Sequence, residues 1–325
     1  MPDMVTHWHF ARRTAEALPH PVRLRLERDI YLFTAHGPDV WFSYKFLDRR
    51  RVHPEVRRAD RMHTSDTGRF LLTLAECARS CRGRTRDELF SYLAGFLCHY
   101  SLDTTCHPYI MTKTGICDDT PATLRYRGKH MKLEHGIDCL LLREVYRVTP
   151  ARYSFARHML PLRRLPESLH GPLDRVYKAV YGWDDTWRDL NTAIRWHRLF
   201  YKLLRDPTGI LNLVLTRMDN GHSGYDLSQL SFHGREPDPA LDVLNRSHRP
   251  WHHFCDRSIV STKSFPELFA DAKDLAAARI IACADYIYSD APLPTELIGN
   301  LSYDTGLACG DPRAKGPWTF EPLYE

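Results

Sequence analysis

The stretch Gly95-Phe96-Leu97-Cys98-His99-Tyr100-Ser101-Leu102-Asp103-Thr104-Thr105-Cys106-His107-Pro108 decides the reading of this chain. His99, Asp103 and His107 recur at every fourth position. On a helix turning about 100° per residue they fall on one stripe about 80° wide. Leu93, Phe96 and Tyr100 lie on the same side, so the polar stripe faces apolar neighbours rather than water. An unpaired carboxylate in such surroundings is costly. Three arrangements avoid that cost. One is a buried histidine–aspartate hydrogen-bond network, and another is a helix end left exposed near Pro108. In the third, a metal takes both imidazoles and the carboxylate as ligands.

A second pair follows in His130-Met131-Lys132-Leu133-Glu134, where histidine and glutamate meet across one turn. Alone, such a pair is an ordinary surface contact. Beside the first triplet it adds nitrogen and oxygen ligands of the kind zinc accepts. No HExxH segment occurs, so a thermolysin-like peptidase has no local support.

Outward from these segments the chain reads as helix after helix. Leu24, Ile30, Tyr31 and Phe33 lead to a stop at His36-Gly37-Pro38-Asp39. Residues 63–81 place Phe70, Leu71, Leu74, Cys77 and Ala78 on one side. Thr85 with Glu88 forms a capping-box pattern, and the helix after it is expected from about 87 to about 106, before Pro108. Further helices are expected over 127–147, 173–181, 187–204 and 265–288, the last opened by Ser264 with Glu267. Residues 218–240, rich in glycine, aspartate and proline, read as an extended loop. Few runs resemble strands, and there is no repeat, phosphate loop or nucleophile elbow. The expected fold is all-α, a multi-helix bundle with long loops. It is expected as one domain over 1–292, with an irregular tail over 293–325 packing back through Trp318, Phe320, Leu323 and Tyr324.

Composition bounds the function. With 325 residues, 43% hydrophobic and 26% charged, the chain has the balance of an ordinary globular protein. Its net charge of +5 suits an anionic substrate or surface but makes no nucleic-acid groove. Arg79, Arg82, Arg84 and Arg86 form a local basic patch. Nine cysteines, an odd number set inside helical patterns, read as free thiols of a reducing compartment, so a cytoplasmic location is expected. The opening MPDMVTHWHFARR lacks the plan of a signal peptide. No apolar run reaches a transmembrane length of about 20 residues, since the segment 210–215 is stopped by Arg217. Any contact with lipid is therefore expected from the surface.

In the His99-Tyr100, Asp103 and His107-Pro108 order the sequence resembles the bacterial zinc-dependent phospholipase C family, and within it a non-secreted branch. That family's all-helical fold is shared by S1/P1-type nucleases. The spacing from Asp103 to His107 is shorter than in the secreted toxins of the family. The resemblance spans roughly residues 1 to 145. It implies two to three zinc ions. One would be held by Asp39, His63, His99 and Asp103, and a second by His107, His130 and Glu134, with room left for water and substrate. A third would share Asp103 as a bridge and add His7 and an amino-terminal group. His9 is the alternative to His7, and the Pro2 amine exposed by loss of Met1 is the candidate amino group.

The implied activity is hydrolysis of a phosphodiester in a glycerophospholipid or a related soluble molecule. Asp39, His107, His130 and Glu134 are then the catalytic candidates. Thr104 and Thr105 are read either as tuning the ligands or as packing. Trp41, Phe42, Tyr44 and Tyr109 are available to receive a cationic headgroup. Residues 235–325 lack the alternation of a membrane-binding β-sandwich, so dispersed lipid is expected to be a better substrate than packed bilayers. Two other readings stay open: a nuclease, and a metal-bound scaffold or regulator without turnover.

Overall fold

A helix of 32 residues, with almost every side buried, organises the computed structural model of the chain. The structure describes residues 4–48, 53–117, 120, 121, 123, 126, 128–149, 153, 155–219, 228, 231 and 237–324. In chain order the first helices are α1 (Met4–Ala17), α2 (His20–Arg23), α3 (Arg28–Thr34), α4 (Arg57–Thr64) and α5 (Thr67–Ser80). The long helix α6 (Gly83–Thr114) is followed by α7 (Lys129–Tyr146), α8 (Phe155–His158), α9 (His170–Tyr181), α10 (Thr186–Leu203) and α11 (Ile210–Asp219). A small antiparallel hairpin, β1 (Trp251–His253) and β2 (Asp256–Ser261), precedes α12 (Phe265–Tyr288) and the short α13 (Thr295–Ile298). The expected all-α architecture is what the chain adopts.

A helix that is apolar on all sides belongs at the centre of a bundle. Helix α6 accordingly packs against α12, α3, α5, α1 and α7. Buried Arg279 of α12 reaches across to Ser101 Oγ (3.0 Å) and lies over the Tyr100 ring, which fixes α12 against the segment carrying the His-Asp-His stripe. The Tyr100 hydroxyl donates to the carbonyl of Ile298 (2.9 Å) and accepts from the N–H of Leu301 (3.0 Å). The stretch after α13 is thereby held on the same face.

The capping box at Ser264 and Glu267 forms as expected, and α12 spans residues 265–288. Three local expectations are corrected. Thr85 does not cap α6, which starts two residues earlier at Gly83, and Glu88 instead pairs with Arg84 (2.8 Å) and accepts from Ser168. Nor does α6 end before Pro108. It continues to Thr114, and the C-terminal segment packs against the turn whose Thr104 carbonyl Pro108 cannot satisfy. Gly306, at φ +65°, sits so close that a Cβ there would lie 2.4 Å from the Thr104 oxygen. The periodic run over 63–81 is likewise interrupted at Asp66, whose left-handed φ of +57° separates α4 from α5. Most of the loop expected over 218–240 lies outside the described residues. Among the described residues no helix is long and apolar enough to cross a membrane. All nine cysteines are free thiols.

Candidate metal centre

Five elements bring eight side chains to one buried place. Helix α6 supplies His99, Asp103 and His107, α1 supplies His7, α4 supplies His63, and α7 supplies His130 and Glu134. Asp39 comes from the single-turn helix Gly37–Trp41. Gly37 explains how that turn can approach α6. Its φ is +51°, and a Cβ there would lie 2.5 Å from the His99 ring, so only glycine fits.

Candidate ligand atoms gather in three groups: His7, His99 and Asp103; Asp39, His63 and His99; and His107, His130 and Glu134. Within each group the atoms lie within 4.8 Å of one another. The two oxygens of Asp103 divide the centre between them. Oδ2 is 2.9 Å from His99 Nε2 and 4.0 Å from His63 Nε2. Oδ1 is 3.4 Å from His7 Nε2 and 3.8 Å from His107 Nε2. Asp39 Oδ1 lies 3.2 Å from His63 Nε2 and 3.8 Å from His99 Nε2, and Glu134 Oε1 lies 2.8 Å from His130 Nε2.

Three imidazoles are oriented by the main chain. His63 Nδ1 donates to the Ala59 carbonyl (2.8 Å), His99 Nδ1 to Ala35 (3.1 Å) and His107 Nδ1 to Tyr303 (3.0 Å). A carbonyl can only accept, so Nδ1 carries the proton in each ring. In the neutral ring Nε2 then presents a lone pair, and in this centre it presents it to carboxylate oxygens. Acceptor facing acceptor is repulsive unless a proton or a metal cation stands between. Nε2 of His63, His99 and His107, both Asp103 oxygens and Asp39 Oδ1 are buried without any aligned hydrogen bond. An imidazole fixed through its other nitrogen by a carbonyl is the arrangement expected around metal. The donor set of histidine nitrogens and carboxylate oxygens fits zinc.

The electrostatics agree. Burial alone would raise the Asp103 carboxyl, but His107, His99 and His7 around it hold it well below the usual carboxylate range. Burial opposes ionisation of Asp39 as well, and His99 and His63 again outweigh it, so its pKa is lowered. At His63 burial is overcome by the Asp39 carboxylate, which pushes the imidazole up to about 9. Burial, then neighbouring His99, lowers His7. The buried carboxylates of Asp39, Asp103 and Glu134 therefore concentrate negative charge in one centre, and a divalent cation would relieve it.

Burial separates the groups. His99 and Asp103 are fully covered, and Asp39 is 7% exposed. His130 is the open member, with 26% of its side chain accessible. The group of His107, His130 and Glu134 is thus the one that solvent reaches. His7 and His9 are also told apart. His7 stacks on His99 with ring centres 4.2 Å apart, while His9 turns away to Tyr146, its Nδ1 2.7 Å from the hydroxyl. The amino-terminal group, the Pro2 amine, lies outside the described residues.

Other candidates settle into packing. Thr104 hydrogen-bonds back to the Tyr100 carbonyl (2.7 Å) within its own helix. Tyr109 is buried and bonded to Val243, and Trp41 and Tyr44 are buried. Of the aromatics considered for a headgroup, Phe42 is the exposed one, at 40%, its ring 5.8 Å from that of His63.

Two positioning residues escaped the sequence reading. Asp138 accepts from the N–H groups of Val5 (2.8 Å) and Thr6 (2.9 Å), so α7 supplies the cap for the first turn of α1 and sets the place of His7. Its signal was present, since Asp138 follows Glu134 by four, as Glu134 follows His130. Tyr303 supplies the His107 acceptor, donates its own N–H to the His63 carbonyl (2.8 Å), and sets its ring edge against His63 and His99. No local motif marks it, because its role runs through its main chain.

A family model described as zinc dependent phospholipase C matches residues 6–206, which include all eight converging side chains. No curated protein and no solved structure matches the chain.

Proposed function

The chain belongs to the zinc-dependent phospholipase C family, and on that premise we propose that it hydrolyses a phosphodiester bond of a glycerophospholipid or a related soluble phosphodiester. One observation carries the reading. Among the described residues, the group of His107, His130 and Glu134 is the one with an accessible side chain, that of His130, and a zinc held by these three would be the one that water and phosphate can reach. Asp39, His63, His99 and Asp103 Oδ2 would hold one ion, because each histidine nitrogen can serve only one metal and these four supply the number of ligands that zinc takes. Asp103 Oδ1 and His7 are left for a third ion, which makes two to three in all.

Zinc held in these groups would supply Lewis acidity toward phosphoryl oxygens and lower the pKa of water. The chain's own residues do the rest. Ala35, Ala59 and Tyr303 lock three imidazoles in the ligating tautomer, so no reorganisation is needed when charge develops on the phosphate. Asp39, with its pKa lowered, is a better anion for holding a cation than a base for taking a proton. His130 and Glu134 line the open side and orient what enters. The patch of Arg79, at the end of α5, and Arg82, Arg84 and Arg86, at the start of α6, sits roughly 20 Å along the helix from His99 and is not part of the centre's lining. That favours a lipid phosphodiester over a nuclease substrate.

The test is a substrate comparison with the zinc-loaded protein. It sets a short-chain glycerophospholipid and an aryl phosphocholine beside a phosphomonoester and single-stranded DNA, with His130→Ala controlling for contaminants. Turnover of the first two, lost in His130→Ala, is expected. DNA cleavage alone would move the assignment to a nuclease. No turnover in a fully loaded protein would leave a binding or regulatory role.

A further inference from the structure

Helix α11 turns its apolar side outward. Ile210 is 63% exposed, Leu213 49%, Val214 45% and Met218 67%, and their spacing of three and four puts them on one face. The opposite side is fastened down. Asp206, itself buried, accepts from the Asn212 N–H (2.7 Å), and the Asn212 amide reaches Ser231 Oγ (3.0 Å). The exposed face is therefore held in place rather than being a frayed end. Leu203 at the end of the preceding helix α10 is also 46% exposed, and Trp196 and Phe200 on that helix are half-buried. Phe46 packs edge-on against both rings, at 5.6 and 5.2 Å, and the neighbouring Leu47 is 56% exposed. From there the loop leads back four residues to Phe42, against His63. Exposed apolar side chains thus recur at Leu47, at the end of α10 and on α11, and the α11 face is the continuous one.

Charge identifies what covers it. Residues 195–219 carry Arg195, Arg198, Lys202, Arg205 and Arg217 against Asp206 and Asp219, and Asp206 is consumed in capping α11. We propose that this face docks on an anionic phospholipid membrane surface, with α11 dipping into the headgroup–acyl boundary and Lys202 and Arg217 on the lipid phosphates. A second copy is a poorer occupant, because a two-fold pairing through this face would bring Lys202 and Arg217 of one chain toward the same cations of the other. The inference rests on the reading of the substrate as a phospholipid. It reverses the sequence expectation of a preference for dispersed lipid, since substrate would be taken at the membrane surface.

Sedimentation with vesicles, of phosphatidylcholine alone or containing one-fifth phosphatidylserine, tests the proposal. Wild-type protein is expected on the phosphatidylserine vesicles, less so as salt rises. Leu213→Asp with Met218→Asp should lower binding by about tenfold or more, as should Lys202→Glu with Arg217→Glu, which keeps the apolar face. Both variants should hydrolyse monomeric short-chain phosphatidylcholine at the wild-type rate. Absence of wild-type binding, or equal binding by both variants, overturns the docking surface. A concentration-dependent dimer abolished by Leu213→Asp, without vesicle binding, overturns it in favour of self-association. Vesicle binding without turnover of the monomeric lipid sustains the surface and removes the catalytic reading instead.

Discussion

His107 donates from Nδ1 to the main-chain carbonyl of Tyr303, 3.0 Å away, joining the third member of the α6 stripe to a residue 196 positions later. That bond aims Nε2 of His107 toward Glu134, 3.6 Å off, and toward Asp103. The C-terminal segment is thus part of the centre's geometry.

Gly306 offers a controlled test of that link. Gly306→Ala would push a Cβ onto the Thr104 carbonyl and displace the turn that carries Tyr303, whereas Gly310→Ala imposes a similar backbone strain with nothing within 4 Å. Zinc affinity should fall roughly 10- to 100-fold in Gly306→Ala, the usual effect of losing an outer partner of a ligand, and stay unchanged in Gly310→Ala. Competition with a chelating dye measures both. Equal affinities would show that Tyr303 does not orient His107.

Asp103→Asn should damage the centre more than Glu134→Gln. Asp103 divides its two oxygens between His99 and His7 and is fully buried, while Glu134 serves only the open group. Asp103→Asn is expected to lose two zinc ions or fail to fold, and Glu134→Gln to lose one. Metal content and thermal melting report the order. Equal losses would contradict a bridging Asp103.

Asp138→Ala removes the acceptor for two N–H groups at the start of α1. Bonds to a charged acceptor contribute about 1.5–3 kcal/mol each when measured by deletion, so melting should fall by several degrees. Zinc held through His7 should weaken while the His107 group keeps its ion. A variant with wild-type melting and full zinc would show that α1 is placed by its packing alone.

Much of this was legible in the sequence, for identifiable reasons. Helix α12 was readable from its capping box and its period, and the stripe at 99, 103 and 107 from the mismatch of polar residues among apolar ones. The convergence of Asp39, His63 and His7 on it carried no local signature and came only through the family resemblance. What stayed hidden was tertiary. Local rules end a helix at Pro108, yet α6 runs through it, and Gly306 from far along the chain presses closely against that turn. Gly37 read as a helix stop, whereas its missing side chain is what admits the His99 ring. The exposed face of α11 was visible only as an apolar run, because a sequence does not say which side of a helix its own body leaves uncovered.

Removing metal should also loosen the fold. A cation bound at about 100 times its dissociation constant stabilises the folded chain by roughly 2.7 kcal/mol. Chelation should therefore lower the melting temperature by about 5 °C or more, restored by zinc and not by magnesium, which disfavours nitrogen ligands. An unchanged melt after complete stripping would mean that the buried carboxylates are neutralised in another way.

The most direct measurement is the zinc content of wild-type protein purified without chelator, by elemental analysis against protein concentration. Asp39, His63, His99, Asp103, His107, His130 and Glu134, with His7, predict two to three ions per chain. A reproducible value below one, after zinc has been supplied, would contradict the metal centre and with it the hydrolytic mechanism.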